Sequence, residues 1–417
     1  MSLQTAFKSL SITRFLEEVD SLGLFWIIKR LSGNDTNLTG SHQSGLYLPK
    51  KFVEVVFPDI CTTEKYNPDA YINTCYLPQA DLHIKKLRAV YYNSKYFPER
   101  QLKKKYDEFR LTRWGGRNAP PQDPENTGSI FLLAIQKTAD ETNAVAWVAS
   151  SITEEDTIEA WLGEEVEPGR FLTKPSRKEG LVAPAGEFDL PAEWLVAFPS
   201  GREIFCHVME LVPRATWVRS VDELLLKRRE IEFKLFAEIE KREVLPEIQQ
   251  GFDSIDSFIK LAHSVSNRRK SRAGTSLELN LETIFLDDNV YFETQVYTEN
   301  RKRPDFIFPS SKAYHDERFP TIRLHMLAAK TCCKDRWRQV LNEADRITSK
   351  HLFTLQQGVS NNQLKEMRDH NISLVVPKPF IESFPKESRK SLLTLDDFIS
   401  LIRTHQSAVP DLCKWIN

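Results

Sequence analysis

Two short runs in the second half of the chain each carry a charged side chain near one end, and they constrain the fold more than any other feature. Residues 303–308 predict a strand entered through Pro304, because a proline is tolerated at the first position of a strand but not inside a central one. The mostly apolar residues 324–330 predict a following strand that ends on Lys330. This part of the chain should therefore form a sheet that presents Asp305 and Lys330 at strand ends.

The segment after Lys330 predicts a helix over residues 335–349. Its apolar residues recur at helical spacing, at Trp337, Val340, Leu341 and Ala344. Arg336 and Glu343 are two turns apart, so they should project from the same side of this helix. The helix is therefore expected to bring Glu343 towards the ends of the two strands.

An aspartate, a lysine and a glutamate on adjacent elements suit metal-assisted phosphodiester hydrolysis. Asp305 and Glu343 would hold Mg²⁺, which makes hydroxide from water, while Lys330 stabilises the charge that gathers on the phosphorane. Taken singly, each side chain would more simply form a surface salt bridge. His315 and His325 are alternative catalysts, although the position of His325 along its strand should turn it away from the site.

The sequence around this predicted site resembles one nuclease family. Residues 330–345, KTCCKDRWRQVLNEAD, are similar to the active-site block of the EcoRII-like type II restriction endonucleases, whose members cut CC-containing sites. Further similar stretches are residues 112–115 (TRWG), 122–128 (QDPENTG), 264–274 (SVSNRRKSRAG), 276–278 (SLE) and 351–356 (HLFTLQ). The resemblance extends over nearly the whole chain.

This resemblance implies a PD-(D/E)xK nuclease in which the second acid of the motif comes from a different position in the chain. The second acid of that motif lies two residues before the lysine, where this chain has Ala328, which cannot bind a metal. Residues 328 and 330 point to one face of a strand, so the small Ala328 leaves space that the Glu343 carboxylate can fill. Glu278 corresponds to an additional acid of the family's site, and Glu282 is the weaker candidate for that position.

Lys334, Asp335 and Arg336 form a triplet that suits a CC:GG step. Guanine offers two major-groove acceptors and cytosine one donor, so basic side chains can bind guanine while a carboxylate binds cytosine. Relatives use this position to read bases, often with an arginine where this chain has Lys334, and the resemblance implies a CC(A/T)GG-like target. Because lysine lacks the planar fork of arginine, Lys334 is either a weaker reader or a group near the metal. Asp335 alone could equally be an ordinary helix-start acid.

Two basic clusters are candidates for further DNA contacts. In the second half, Arg269, Lys270 and Arg272 precede the segment of Glu278 and would hold phosphates or base edges. In the first half, the resemblance implies two loop arms that clamp the duplex. These arms would contribute Asn34, Lys95, Arg110 and Arg113. From composition alone, a charge run more often forms a solvated face.

Length predicts two domains, because 417 residues exceed what one core usually supports. Strand-like segments at residues 45–49, 89–92, 129–135 and 144–149 predict a largely β first domain over residues 1–165. A stretch rich in proline and glycine predicts a linker over residues 166–187. A catalytic domain should occupy residues 188–417. The net charge of −1 shows no basic excess, so DNA binding would depend on local clusters.

The predicted elements of the second domain match the αβββαβ core of PD-(D/E)xK nucleases. Three helices are expected, from residue 221 to about 244, from about residue 254, and over residues 275–286. The first should end there because Pro246 follows. Strands over residues 290–297, 304–308, 322–330, 351–355 and 372–376 follow, with the helix of residues 335–349 after the third. For the first domain, the resemblance implies a DNA-binding pseudobarrel that acts as an effector domain.

The resemblance also implies partners. A homodimer is expected, since two-fold symmetric cutting of double-stranded DNA needs two active sites related by the DNA dyad. A cytosine DNA methyltransferase of the same restriction-modification system would protect the host. The six cysteines lack zinc-ligand spacing, and the absence of a long apolar run or signal-peptide pattern favours a cytoplasmic protein. Two alternatives stay open, a catalytically inactive DNA-binding regulator and a repair or mobile-element nuclease of the same fold.

Overall fold

The computed structural model describes residues 10–40, 45–77, 84–100, 103–174, 188–195, 197–216 and 220–416. These residues form two sheets with helices packed against them. None of the helices in these ranges is long and apolar enough to cross a membrane.

The first half of the chain folds around an eight-stranded sheet. Its strands are β1 (Phe25–Arg30), β2 (Leu46–Leu48), β3 (Asp69–Leu77), β4 (Lys85–Tyr92), β5 (Glu108–Thr112), β6 (Ile130–Lys137), β7 (Thr142–Val148) and β8 (Phe171–Thr173). They lie in the order β2-β5-β4-β3-β7-β6-β1-β8, and β3 and β7 form a parallel pair. The strands predicted from the sequence at residues 45–49, 89–92, 129–135 and 144–149 are confirmed.

Both faces of this sheet are buried. Along β6, Phe131 and Leu133 enter the core inside the curved sheet, because successive side chains of a strand point to opposite faces. Leu132 and Ala134 enter a second core that includes residues of two covering helices. The helices of the first half are α1 (Ile12–Ser21), α2 (Lys50–Val56) and α3 (Ile152–Leu162). Burial on both faces explains why β6 is apolar throughout rather than alternating.

The two edge strands of the first sheet approach each other. In the hydrogen-bonded order, β2 and β8 are at opposite ends. The rings of Tyr47 on β2 and Phe171 on β8 nevertheless make contact, with centroids 5.5 Å apart. The sheet therefore curls far enough to bring its edges together.

The predicted linker overlaps the first sheet. Val166 and Glu167 are buried, and β8 pairs with β1 through residues 171–173. The predicted end of the first domain at residue 165 is therefore too early, because this segment closes the sheet as an edge strand. The remaining predicted linker residues, 175–187, lie outside the described residues.

The second half of the chain folds around a five-stranded mixed sheet. Its strands are β9 (Glu293–Thr294), β10 (Phe306–Phe308), β11 (His325–Lys330), β12 (Lys350–Thr354) and β13 (Ile372–Val375). Its helices are α4 (Gly201–Leu211), α5 (Val221–Gln250), α6 (Ile255–Asp287), α7 (Ser311–His315), α8 (Asn361–Asp369) and α9 (Leu395–Ser407). In the sheet, β9, β10 and β11 form an antiparallel meander, and β12 and β13 continue it in parallel with β11.

Three predictions for the helices are wrong. Helix α5 does not stop before Pro246 but continues to Gln250, because a proline near the end of a 30-residue helix removes only a small part of its hydrogen bonding. The two helices predicted from residue 254 and over residues 275–286 are one helix, α6. The side chain of Ser254 caps the N-terminus of this helix. Residues 335–349 form no α-helix: a short 3₁₀ helix, Arg336–Asn342, takes its place.

The strands predicted at residues 290–297, 304–308 and 322–330 are shorter than expected. The first is reduced to the two residues of β9, and a 3₁₀ turn at residues 321–323 precedes β11. Helix α6 packs on this meander through Phe285, whose ring lies 5.3 Å from those of Phe306 and Phe308. Burial of each such ring stabilises the packing by about 1.5–3 kcal/mol. This contact fixes α6, which carries Glu278, against β10, the strand that follows Asp305.

Candidate active site

Asp305 and Lys330 meet at one end of the meander. Asp305 directly precedes β10, Lys330 is the last residue of β11, and these two strands are paired. The Asp305 Oδ2 atom accepts hydrogen bonds from the Ala329 backbone N–H at 2.7 Å and from Lys330 Nζ at 3.2 Å. The pair of side chains expected at the strand ends is therefore held in one place.

Glu343 joins them from a position that the sequence did not predict. It directly follows the 3₁₀ helix and has an extended backbone rather than a helical one. Buried Lys350 donates from Nζ to the backbone carbonyls of Leu341, at 2.8 Å, and of Glu343. The neighbouring Ala328 and Ala344 are fully buried in the same core. Glu343 thus reaches the space beside Lys330 because the chain after the 3₁₀ helix is tied down, and not because of a helical face.

The electrostatic surroundings of Glu343 link it to Asp305 and Lys330. Burial raises the pKa of Glu343 to about 7, the Lys330 ammonium opposes this rise, and the Asp305 carboxylate adds to it. Its Oε2 atom is buried, and no hydrogen-bond donor in the described part of the chain reaches it. A carboxylate oxygen in this state lacks the partner that a buried acceptor normally has.

Glu278 lies on α6, near the same group. Burial raises its pKa, the Asp305 carboxylate raises it further, and Lys330 opposes the rise. Glu282, one turn further along the helix, lies 4.0 Å from the guanidinium of Arg202 and so has a structural partner. The structure therefore brings together all four side chains that were predicted for the catalytic site, Asp305, Lys330, Glu343 and Glu278.

The acidic side chains fit a divalent cation that keeps part of its coordination for water or substrate. The unpartnered Oε2 atom of Glu343, which lies near the negative charge of Asp305, is where a cation would relieve repulsion. Among the described residues, no three Asp, Glu, His or Cys side chains form a complete metal cage. Mg²⁺ is commonly held by only one or two carboxylates together with waters and phosphate oxygens.

In the triplet after β11, the two basic side chains, Lys334 and Arg336, contact the first domain. Lys334 Nζ contacts the hydroxyl of Ser129. Arg336 lies 3.9 Å from both Asp156 and Glu159 of α3.

Asp335 does not begin an α-helix as predicted. Its backbone is left-handed, with φ 55°, and its carboxylate accepts from Arg338 at 2.9 Å. In this arrangement the two basic side chains of the triplet already have partners in the first domain.

The second basic cluster is also paired with first-domain acids. Arg269 binds Glu240 at 2.9 Å and Glu164 at 3.3 Å, whereas Lys270 is exposed. Arg272 pairs with Glu167, which also accepts from Arg229 at 2.6 Å. Burial opposes ionisation of Glu167, but these guanidinium groups lower its pKa to about 2.

The four residues of the first domain that were predicted to contact DNA are exposed or half-buried. Asn34 is exposed and accepts from Thr39 at 3.0 Å. Lys95 pairs with Asp107 at 3.2 Å, and Arg110 pairs with Glu108 at 2.9 Å. Arg113 is exposed, and its guanidinium lies 5.3 Å from the ring centroid of Tyr71.

The two histidine alternatives contact other groups. His325 faces a cluster with His405, at 2.7 Å, and His351, and burial lowers its pKa to about 3. His315 contacts the backbone carbonyl of Tyr297 at 3.0 Å.

The acids of the first domain that pair with second-domain arginines were missed by sequence reasoning. They are Asp156, Glu159, Glu164 and Glu167. A signal existed, since residues 154–167 contain seven acids and could have been matched to the basic stretch of residues 268–272.

Comparisons with known proteins agree with this architecture. Residues 21–178 match the family model "Restriction endonuclease EcoRII, N-terminal", and residues 236–399 match the model "EcoRII C terminal". The chain is 43% identical over 406 residues to the type II restriction enzyme EcoRII of Escherichia coli, covering 95% of this chain and 98% of that protein. It is 26% identical over 167 residues to the type II restriction enzyme SsoII of Shigella sonnei, covering 38% of this chain and 52% of that enzyme.

Two solved structures of Ecl18kI are more distantly similar. The match to metal-depleted Ecl18kI in complex with uncleaved, modified DNA covers 54% of this chain and 83% of the Ecl18kI chain, with 19% identity and a TM-score of 0.42. The complex with uncleaved DNA matches 53% and 87%, with 17% identity and a TM-score of 0.43. Because the EcoRII models and the E. coli enzyme cover both halves of the sequence, the chain belongs to the EcoRII family of type II restriction endonucleases, which are site-specific deoxyribonucleases.

Proposed function

We propose that this enzyme hydrolyses double-stranded DNA with Mg²⁺ at a site built from Asp305, Lys330 and Glu343. The observation that carries the proposal is the convergence of these three side chains from separate elements, with an unpartnered Glu343 oxygen beside the Asp305–Lys330 pair. Cutting a mixed plasmid substrate with and without Mg²⁺ and sequencing the ends tests it. Metal-independent cutting, or ends without a common sequence, would contradict it.

Each side chain has a separate task. Asp305 and Glu343 would hold Mg²⁺, with Glu278 as an additional acid. Bound there, the metal supplies a hydroxide at neutral pH and charge stabilisation at the phosphate. The hydrogen bond from Lys330 Nζ to Asp305 keeps the ammonium at the strand end, where it can stabilise the phosphorane or orient the attacking water.

The protonation state of Glu343 predicts a pH-dependent need for metal. With a pKa of about 7, this carboxyl is mostly protonated below that pH, and a proton competes with Mg²⁺ for the same oxygens. The Mg²⁺ concentration for half-maximal cleavage should therefore be higher near pH 6 than near pH 8, approaching about tenfold per unit below the pKa. Magnesium titrations of the cleavage rate at the two pH values measure this. The same Mg²⁺ requirement at both would show that Glu343 is not a ligand.

The base-reading role belongs to Lys334, Asp335 and Arg336, with a pseudo-palindromic CC…GG target, CC(A/T)GG by resemblance. Asp335 can only accept hydrogen bonds, so it suits the N4 amine of cytosine, and Arg336 suits guanine O6 and N7. The triplet begins four residues after the end of β11, and this position supports the role because it keeps recognition beside cleavage. A methyltransferase acting on these cytosines would crowd the contact and protect host DNA.

Arg336→Ala should relax specificity rather than abolish binding. The loss of a bidentate guanine contact is expected to cost about 1–3 kcal/mol of discrimination at that base pair. Binding to single-base variants of the site, at one fixed salt concentration, measures it. Arg318→Ala is the matched control, since Arg318 is an exposed arginine paired locally with Asp316. Equal weakening on cognate and random duplexes would mean that Arg336 grips only phosphate.

The first domain acts as a DNA-reading effector in this proposal. Contact between its edge strands through Tyr47 and Phe171 supports the pseudobarrel. Arg113 and Lys95, both exposed, would contact the duplex together with Asn34 and Arg110. Arg269, Lys270 and Arg272 of the second domain would add backbone or base contacts.

The domains are also proposed to regulate each other. Arg269, Arg272 and Arg336 are paired with first-domain carboxylates in this structure, so they cannot bind DNA until those pairs separate. The first domain would therefore restrain the second until DNA is bound. A homodimer, with two such active sites related by the DNA dyad, completes the proposal.

Two other candidates share the fold. An inactive DNA-binding regulator would not need Asp305, Lys330 and Glu343 held together, so the observed convergence favours the enzyme. A repair or mobile-element nuclease would use the same chemistry, and cutting at one defined sequence separates the restriction enzyme from it.

A further inference from the structure

The backbone that leads from β11 to the base-reading triplet is held by one buried side chain, Gln356. The last backbone contact between β11 and β12 runs from Leu355 N to Thr331 O at 3.2 Å. Beyond it, the Gln356 Oε1 atom accepts from Cys333 N at 3.0 Å and from Lys334 N at 2.9 Å. A side-chain amide thus continues the pairing that the strands themselves no longer provide.

The surroundings of Gln356 fix which way its amide points. Its Nε2 atom donates to the carbonyl of Gly358 at 2.8 Å, which leaves Oε1 facing the loop. The thiol of Cys332 lies 3.1 Å from the same oxygen. The side chain is only 1% exposed, and Gly128 of the first domain packs so closely on it that an added Cβ would lie 2.5 Å from Nε2. A buried amide with this many partners has little freedom to move.

The turn that presents the triplet is built on the residues that Gln356 holds. Arg336 N donates to Lys334 O at 2.5 Å, and Trp337 N donates to Cys333 O at 3.1 Å. Between them, Asp335 adopts its left-handed conformation. The positions of Asp335 and Arg336 therefore depend on the carbonyls of two residues whose N–H groups end on Gln356.

We propose that Gln356 is a positioning residue for base recognition, which holds the loop of residues 332–334 so that Asp335 and Arg336 meet the correct base edges. This inference rests on the proposed base-reading role of the triplet. Gln356 acts through Cys333 and Lys334 and touches no base itself. Without its amide, two N–H groups in a buried region lose their acceptor, and the loop must shift to find another.

The test is the ratio of kcat/KM on the preferred duplex to that on a duplex with one outer base pair exchanged. For Gln356→Leu this ratio should fall at least about tenfold, because a shift of 1 Å in a recognition group can cost up to about a hundredfold. Gln356→Glu retains an acceptor for both N–H groups and should keep most of the discrimination. If the leucine variant does not fold, Gln356→Asn replaces it, since its amide is one methylene too short to reach both partners.

Gln406→Leu is the matched control. Gln406 is also buried and clamps backbone, accepting from Tyr291 N at 3.1 Å and donating to Tyr291 O at 2.6 Å. Its loss should lower Tm without changing the discrimination ratio. An unchanged ratio in folded Gln356→Leu or Gln356→Asn, an equal fall in Gln406→Leu, or a Gln356→Glu variant as relaxed as the leucine variant would overturn the proposal. If Arg336→Ala also leaves the ratio unchanged, it is the base-reading role of the triplet that fails.

Discussion

Alanine at Asp305 or at Lys330 is expected to lower the rate of DNA cleavage by about 10² or more, the typical loss when a preorganised group of the transition state is removed. Removal of Asp305 takes away one proposed metal ligand and also releases Lys330, whose ammonium it holds at 3.2 Å. Removal of Lys330 takes away the cation that pairs with Asp305 and that opposes the raised pKa of Glu343. Specific DNA binding should survive both changes, because base recognition is assigned to other residues.

Single-turnover cleavage and equilibrium binding, measured on the same duplex, separate these two effects. Lys365→Ala on α8 is a matched control, since Lys365 is an exposed lysine of the same domain. Cleavage by this control should equal that of the unmodified enzyme. Near-normal cleavage by Asp305→Ala would exclude the proposed chemistry, and loss of binding in parallel with cleavage would assign Asp305 a role in folding instead.

Weakening the contact between the domains should increase cleavage of DNA that carries a single site. Asp156 lies 3.9 Å from Arg336, and Glu125 accepts from Ser360 and Asn362 at 2.9 Å each. Changing both acids to lysine in one protein replaces attraction by repulsion at Arg336 and removes two hydrogen-bond acceptors. A total loss of only about 1.4 kcal/mol shifts the balance between restrained and released forms tenfold.

Cleavage of a single-site plasmid by the Asp156→Lys/Glu125→Lys protein should therefore rise about tenfold. Added positive charge could strengthen DNA binding in general, so Asp140→Lys, in the exposed turn between β6 and β7, is the control for charge. Limited proteolysis within residues 175–187 is a second route, which should release an active C-terminal fragment once the halves separate. A rise of the same size in Asp140→Lys, or a released fragment that is folded but inert, would contradict restraint by the first domain.

The strand ends of the active site follow from the sequence because their signals are local. Pro304 marks the entry to β10, and the apolar run before Lys330 marks β11. The side chains of Asp305 and Lys330 then meet because β10 and β11 pair as neighbours.

The position of Glu343 could not be derived in the same way. The helical spacing of the apolar residues after Asp335 predicted a helix that does not form, since Asp335 turns the chain with a left-handed backbone and the segment continues as a 3₁₀ helix. Glu343 is positioned instead by tertiary contacts, such as the hydrogen bond from Lys350 Nζ to its backbone carbonyl. Periodicity and chemistry pointed to the residue and the resemblance supported it, but the helix that should have carried it does not form.

The contacts between the domains could not be predicted from the sequence either. Arg269 and Arg272 were predicted to bind DNA, and their pairing with Glu164 and Glu167 depends on how the two domains pack. In addition, α5 continues past Pro246 to Gln250, because a proline near the end of a long helix removes only a small part of its hydrogen bonding. Local patterns define elements, whereas pairing between distant charges requires the assembled fold.

The most direct test of the proposed active site is single-turnover cleavage by Glu343→Ala in saturating Mg²⁺, since this residue is proposed to replace the acid that Ala328 cannot provide. Asp345→Ala is the control, because Asp345 is an exposed carboxylate two residues further along. A loss of about 10² or more is expected for Glu343→Ala, and normal cleavage for Asp345→Ala. Undiminished cleavage by Glu343→Ala, in a protein that still folds and binds its site, would contradict the proposed role of Glu343 in catalysis.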